Sequence, residues 1–274
     1  MIFLRDEPPR PQVLEQLRTW QAEVDEILDY SERVAAADER FNLRNRAGNQ
    51  TFAAVRGALL EMCGGSQTCV YCEDNRSHQI DHVRPRSLHP EHVFAWLNML
   101  WVCGDCNNRK LAKYAVVIGG ELVPFRRKRG EPLSPPPAGP MALLDPRVED
   151  PMAFMILDLA DTFQFVALPG LDTVARARVE FTINEVLGLN DDPFPEQRIG
   201  AYLDFRGLLS EYLIWRARGE SEQRLDGLRA RFARRRHQTV WREIQRQIRA
   251  EARPPELDRD FAELFEALPE ALAW

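Results

Sequence analysis

Four of the five cysteines of this chain fall into two Cys-x2-Cys pairs, Cys69-Val70-Tyr71-Cys72 and Cys103-Gly104-Asp105-Cys106. Each pair presents two thiolates on a tight turn, and two such turns complete a closed four-sulfur shell for zinc, which leaves no ligand position for water and is therefore structural. Between the pairs lie 30 residues, 73–102, in which His78-Gln79-Ile80-Asp81-His82-Val83-Arg84-Pro85 and Asn98-Met99-Leu100-Trp101-Val102 stand out. The second pair runs directly into Asn107-Asn108-Arg109-Lys110. Four of the five histidines are crowded here, so the chemistry belongs to residues 68–115. His78, His89, His92 and His237 read as ordinary surface or core residues, with His78 near enough to the Asp81-His82 pair to touch phosphate or metal. Cys63 reads as a small buried hydrophobe.

Other elements must hold this region in place. Val13, Leu17, Trp20, Val24, Ile27 and Leu28 recur at helical spacing and predict one amphipathic helix over 13–36. A second helix carries Phe52, Val55, Leu59 and Met62 and stops at Gly64-Gly65. Arg126-Arg127-Lys128-Arg129 and the prolines from Pro132 to Pro140 predict a linker, because proline continues neither a helix nor a central strand. Residues 154–157 and 163–168 fit a hairpin, with a helix over 151–160 as the alternative. From Asp172 the pattern is helical: one face ends at Gly188, another runs from Ile199 to Leu213, and two further helices cover 222–250 and 257–267. The division is a helical segment (1–67), the cysteine-bounded motif (68–115), a Pro/Arg-rich linker (116–140) and a mostly helical region (141–274), an α+β chain.

The order Cys-x2-Cys, Asp81-His82, Asn98 before an apolar strand, then Cys-x2-Cys followed at once by Asn107 resembles the HNH, or ββα-metal, endonucleases. Hydrolysis of a phosphodiester needs a base for the attacking water and a cation to neutralise charge on the phosphate. The resemblance makes His82 the base, its ring oriented by a hydrogen bond to the Asn98 carbonyl. It makes Asp81 and Asn107, or Asn108 in a shifted register, ligands of a divalent ion, and oxygen ligands suit Mg2+ or Mn2+. Arg84, Arg86 and Lys110 would be phosphate contacts. A narrower similarity, to the PtuB-like HNH subunits of Septu and retron-associated phage-defence systems, rests on Arg5 to Pro11, the segment 80–87, Leu144-Asp145-Pro146-Arg147 and Thr182 to Asn190. It implies an ATPase partner of ABC or SMC-like type acting with the chain on phage or plasmid DNA.

Composition sets the outer bounds. The 274 residues are 45% hydrophobic and 28% charged, with no apolar run near the roughly 18 residues a membrane helix needs. The segment Met1 to Pro9 lacks the pattern of a signal peptide, which points to the cytoplasm. A net charge of -6 argues against a uniformly DNA-coating protein, yet it permits a local basic groove. The arginines from Arg229 to Arg249, with only Glu243 among them as an acid, are a candidate surface of this kind. Trp274 and the helix around Trp241 are candidate docking material. The competing function is a zinc-stapled nucleic-acid or protein-binding module without catalysis, and the joint presence of Asp81, His82, Asn98 and Asn107 argues against it, because a binder needs no base.

Overall fold

A computed structural model describes all residues except 66, 75, 128, 129, 131 and 251–254, and the side chains of 256 and 258. Lys128 and Arg129 of the basic run lie outside the described residues.

Three helices open the chain: α1 (Pro11–Asp25), α2 (Tyr30–Arg44) and α3 (Gln50–Met62). The single helix expected over 13–36 is therefore two. The break follows from Asp29, whose side chain accepts from the Glu32 amide at 2.9 Å and caps α2. Leu28 lies in the turn, 89% exposed, so it never belonged to the apolar face. α3 ends at the Gly64-Gly65 pair, both at positive φ. Trp20, Phe41 and Phe52, one from each helix, pack together with Phe94, at ring separations of 5.4–6.4 Å. Phe94 belongs to the loop between the next two strands, so this aromatic cluster seats that loop.

β1 (Gln79–His82) and β2 (Met99–Val102) form an antiparallel pair in which Asp81 faces Leu100 and His82 faces Met99. α4 (Gly104–Lys110) follows at once, its N-cap Cys103. The stretch 116–140 is not linker throughout. β3 (Tyr114–Ile118) and β4 (Glu121–Phe125) pair through Gly119-Gly120, which takes the positive φ of a tight turn. Here the apolar run Tyr114 to Ile118 outweighs the charged and proline-rich composition that follows it. The chain then returns beside β3, where Val117 N–H donates to Pro140 O and Ala142 N–H to Ala115 O.

β5 (Met155–Leu157) and β6 (Phe165–Ala167) form the hairpin foreseen, with a short 3-10 turn at Pro151–Ala153 in place of the alternative helix. α5 (Thr173–Glu180) continues into π-helical turns at Phe181–Leu187, ended by Gly188 at φ +57. These turns pack on α4 and are tied at its end: Lys113, just past α4, donates through Nζ to Glu185 O at 2.8 Å, and Arg109 of α4 pairs with Asp191, just past the turns, at 2.6 Å. The Arg109 guanidinium lies so close over Gly188 that a Cβ there would collide with it.

α6 (Phe194–Ala217), α7 (Glu222–Ala233), α8 (Gln238–Ile248) and α9 (Pro255–Ala267) close the chain. The helix expected over 222–250 is broken at Arg234 to His237, where His237 adopts φ +58. Trp241 is buried among Phe205, Phe232 and Phe265, and Trp274 packs on Tyr212 and Phe232. Trp241 is an interior residue, which removes it as docking material, whereas Trp274 is half-buried and keeps part of its ring at the surface. The arginine surface is also different from its sequence. Arg229 pairs with Asp226 and Arg246 with Glu243, each three residues away, while Arg235 pairs with Asp204 and Arg242 with Asp150 from elsewhere in the chain, so local and distant acids together neutralise much of it. Among the described residues no helix is long and apolar enough to cross a membrane.

Candidate active site and metal centre

The Sγ atoms of Cys69, Cys72, Cys103 and Cys106 all lie within 4.8 Å of one another, and all four residues are buried. A tetrahedral ion with metal–sulfur bonds of about 2.3 Å places its sulfurs roughly 3.8 Å apart. The Cys72 to Cys103 separation is 3.9 Å, so the donor set fits a metal ion. Hydrogen bonds among the thiols drive the Cys103 thiol strongly down, Cys106 and Cys69 being the main donors, and drive Cys106 strongly up.

Asp81, His82, Asn107 and Asn108 all line one cavity of about 340 Å³. β1 supplies the first two and α4 the other two. His82 Nε2 stands 2.8 Å from Val93 O. A carbonyl only accepts, so Nε2 carries the proton and the neutral ring keeps its lone pair on Nδ1. Burial, with Arg86 and Lys110 nearby, pushes the His82 pKa down to about 3 from 6.5, against the opposing Val93 hydrogen bond. The ring is therefore neutral at pH 7. Phe41 of α2 packs its ring edge-on to the imidazole at 4.6 Å, which fixes the ring plane from the far side.

Asp81 is 6% exposed and shared between two partners: Tyr71 Oη donates to Oδ2 at 2.7 Å, and Lys110 Nζ lies 3.2–3.3 Å from both carboxylate oxygens. Lys110 also donates to His82 O at 2.7 Å. It is fully buried and unavailable to phosphate, which corrects its assignment as a phosphate contact. Its ammonium instead neutralises the carboxylate that burial would otherwise penalise. Asn107 Nδ2 donates to Gln79 Oε1 at 2.7 Å, which fixes the orientation of the amide.

Asn98 does not orient the His82 ring. Its Oδ1 accepts from Arg84 N–H at 2.7 Å, and its Nδ2 donates to Arg84 O and His92 O. These bonds clasp the two ends of the loop 83–98, and the clasped loop brings the Val93 carbonyl to His82. Arg86 borders the cavity but pairs with Asp38 at 2.7 Å and covers the Phe41 ring. Arg84 points away from the cavity, its Nη1 donating to Tyr114 Oη at 3.2 Å. His78 lies outside it too, beside Gly104 and Gln79.

Sequence reasoning missed Tyr71, Gln79, Phe41 and the Val93 carbonyl. A tyrosine inside a metal-binding turn was the one visible signal. The others depend on contacts made across the fold.

The family model described as HNH endonuclease matches residues 69–113, about a sixth of the chain. The chain thus carries an HNH endonuclease domain in which both cysteine pairs, the two strands and α4 are contained. No curated protein matches the sequence.

Proposed function

We propose that this chain is a metal-dependent endonuclease that hydrolyses DNA phosphodiester bonds, with zinc in the four-cysteine site. The convergence of Asp81, His82 and Asn107 on one cavity carries this reading. His82 acts as general base: Val93 holds Nε2–H, so Nδ1 takes the proton from a water entering the cavity. An incoming phosphate anion beside the ring raises its proton affinity from the depressed value toward the working range. Asp81 and Asn107 would hold Mg2+ or Mn2+, which supplies charge neutralisation at the phosphate. Lys110 and Tyr71 hold the Asp81 carboxylate in place, and Phe41 keeps bulk water off one face of the imidazole. Four thiolates with no acidic oxygen among them suit zinc.

The coupling to an ABC or SMC-like ATPase in phage defence, within the cytoplasm, rests on the resemblance of segments such as 80–87 and 182–190. The binding-only alternative lacks a use for a neutral, oriented histidine. Plasmid cleavage assayed with Mg2+ and Mn2+ tests the proposal. The Asp81→Ala variant should cleave weakly and recover in part as the metal concentration rises. Equal activity with and without divalent ion would overturn the mechanism.

A further inference from the structure

The loop 83–98 has a second face. On the side away from His82 it borders a cavity of about 540 Å³, closed opposite by Pro135, Pro136 and Pro137. Arg84, His89, His92 and Tyr114 cluster there. The Arg84 guanidinium bonds Tyr114 Oη, the Tyr114 ring meets His89 at 4.8 Å, and His89 and His92 stand 6.1 Å apart. His89 is 9% exposed, and its Nε2 is buried with no hydrogen-bond partner among the described residues. Its Nδ1 lies 2.8 Å from Glu91 Oε1, a carboxylate that accepts the Nδ1 proton.

An unpartnered buried nitrogen requires an explanation, because leaving it unsatisfied costs about 1–3 kcal/mol. An anion supplies one. Its oxygens would accept from an N–H at this nitrogen. A guanidinium fork, two imidazoles and a tyrosine hydroxyl suit the several acceptor oxygens of a phosphate. Glu91 is the carboxylate lining this cavity, and it is already engaged by His89. The position relative to the cleft is equally telling. Arg84 is two residues from His82, and Asn98 clasps the loop ends that divide the two cavities.

We infer that this cavity holds a backbone phosphate of the DNA substrate flanking the one presented to His82, an inference that rests on the nuclease reading above. A phosphate gripped here bears on the same loop whose Val93 carbonyl orients the base, so strand binding and base placement share one element.

The test is the salt dependence of binding to a fluorescently labelled duplex, followed by anisotropy without divalent ions. Each phosphate neutralised by the protein adds about 0.9 to the slope of log K against log salt. Arg84→Gln should lower that slope by about one and weaken binding close to tenfold at 0.1 M salt. Arg84→Lys should restore the slope, since charge and not the Tyr114 bond carries it. His92→Gln, at a half-exposed position, is a second and milder variant, with a smaller loss in the same direction. Metal content and circular dichroism identify any variant that misfolds. A parent that binds and cleaves DNA while these variants keep its slope and affinity overturns the cavity assignment alone. A parent that does not bind DNA overturns the nuclease reading and the cavity together. Inorganic phosphate that shifts the His89 and His92 resonances, with DNA affinity unchanged in the variants, assigns the cavity to a free phosphate ligand and also overturns the inference.

Discussion

The sulfur cluster and the oxygen-lined cleft are built on the same short elements, yet they treat their donors in opposite ways. Around Cys69, Cys72, Cys103 and Cys106 the donors close on one another and are buried together. In the cleft, Asp81 and Asn107 stand around about 340 Å³ of space and are held by third parties, Tyr71, Lys110 and Gln79. A closed shell binds an ion for stability, and an open one leaves room for water and substrate. The two are joined through single residues. Tyr71 sits between two sulfur ligands and bonds Asp81, and Asn107 follows Cys106 directly. The cluster therefore sets the positions from which the cleft works.

Removing the closed shell should have the largest effect. Chelation, or the Cys69→Ser, Cys103→Ser double variant, should unravel residues 69–113 and abolish cleavage, because metal binding and folding are coupled in such sites. Elemental analysis should find about one zinc per chain, set by the four-ligand rule. A double variant that stays folded with undiminished zinc would break the comparison.

Lys110→Met should come next. It strands the Asp81 carboxylate in a buried site without its cation, a loss of about 3–5 kcal/mol in unfolding free energy. Denaturant titration reads this directly, and a variant as stable as the parent would show that Asp81 has another counter-charge.

A somewhat smaller effect is expected from acid. The native His82 pKa lies at about 3, below the 6.5 of an unperturbed ring. The unfolded chain thus binds a proton that the native ring refuses, so this contribution is complete above pH 6.5 and lost as pH falls toward 3. The loss amounts to about 3 kcal/mol at pH 4. Replacing His82 with Ala should flatten that limb of the stability profile, and an unchanged limb would place the ring in solvent.

The comparison also explains what could be read from the sequence. Cys69, Cys72, Cys103 and Cys106 were legible because their type and spacing are dictated by ligand chemistry, while Asp81, His82 and Asn107, singled out by resemblance to HNH endonucleases, line one cavity. The helix stop at Gly64-Gly65 and the hairpin over 155–167 were legible from backbone demands and alternation. What failed depended on long-range partners. Lys110 looks like a surface cation next to Arg109, and only the fold turns it inward onto Asp81. Trp241 looked like a docking residue because sequence cannot show that Phe205, Phe232 and Phe265 cover it. Arg235 and Arg242 look unopposed until Asp204 and Asp150 arrive from elsewhere in the chain. Asn98 was assigned to the His82 ring, whereas loop closure gave that task to a backbone carbonyl, which carries no residue signature.

The most direct test of the whole account is cleavage of plasmid DNA by the His82→Ala variant, measured beside its metal content. The account predicts a fall of about 10² to 10⁴ in rate, the usual cost of a lost general base, with zinc content and fold retained at pH 7. Cleavage at the parental rate by a folded, zinc-loaded His82→Ala protein would contradict it.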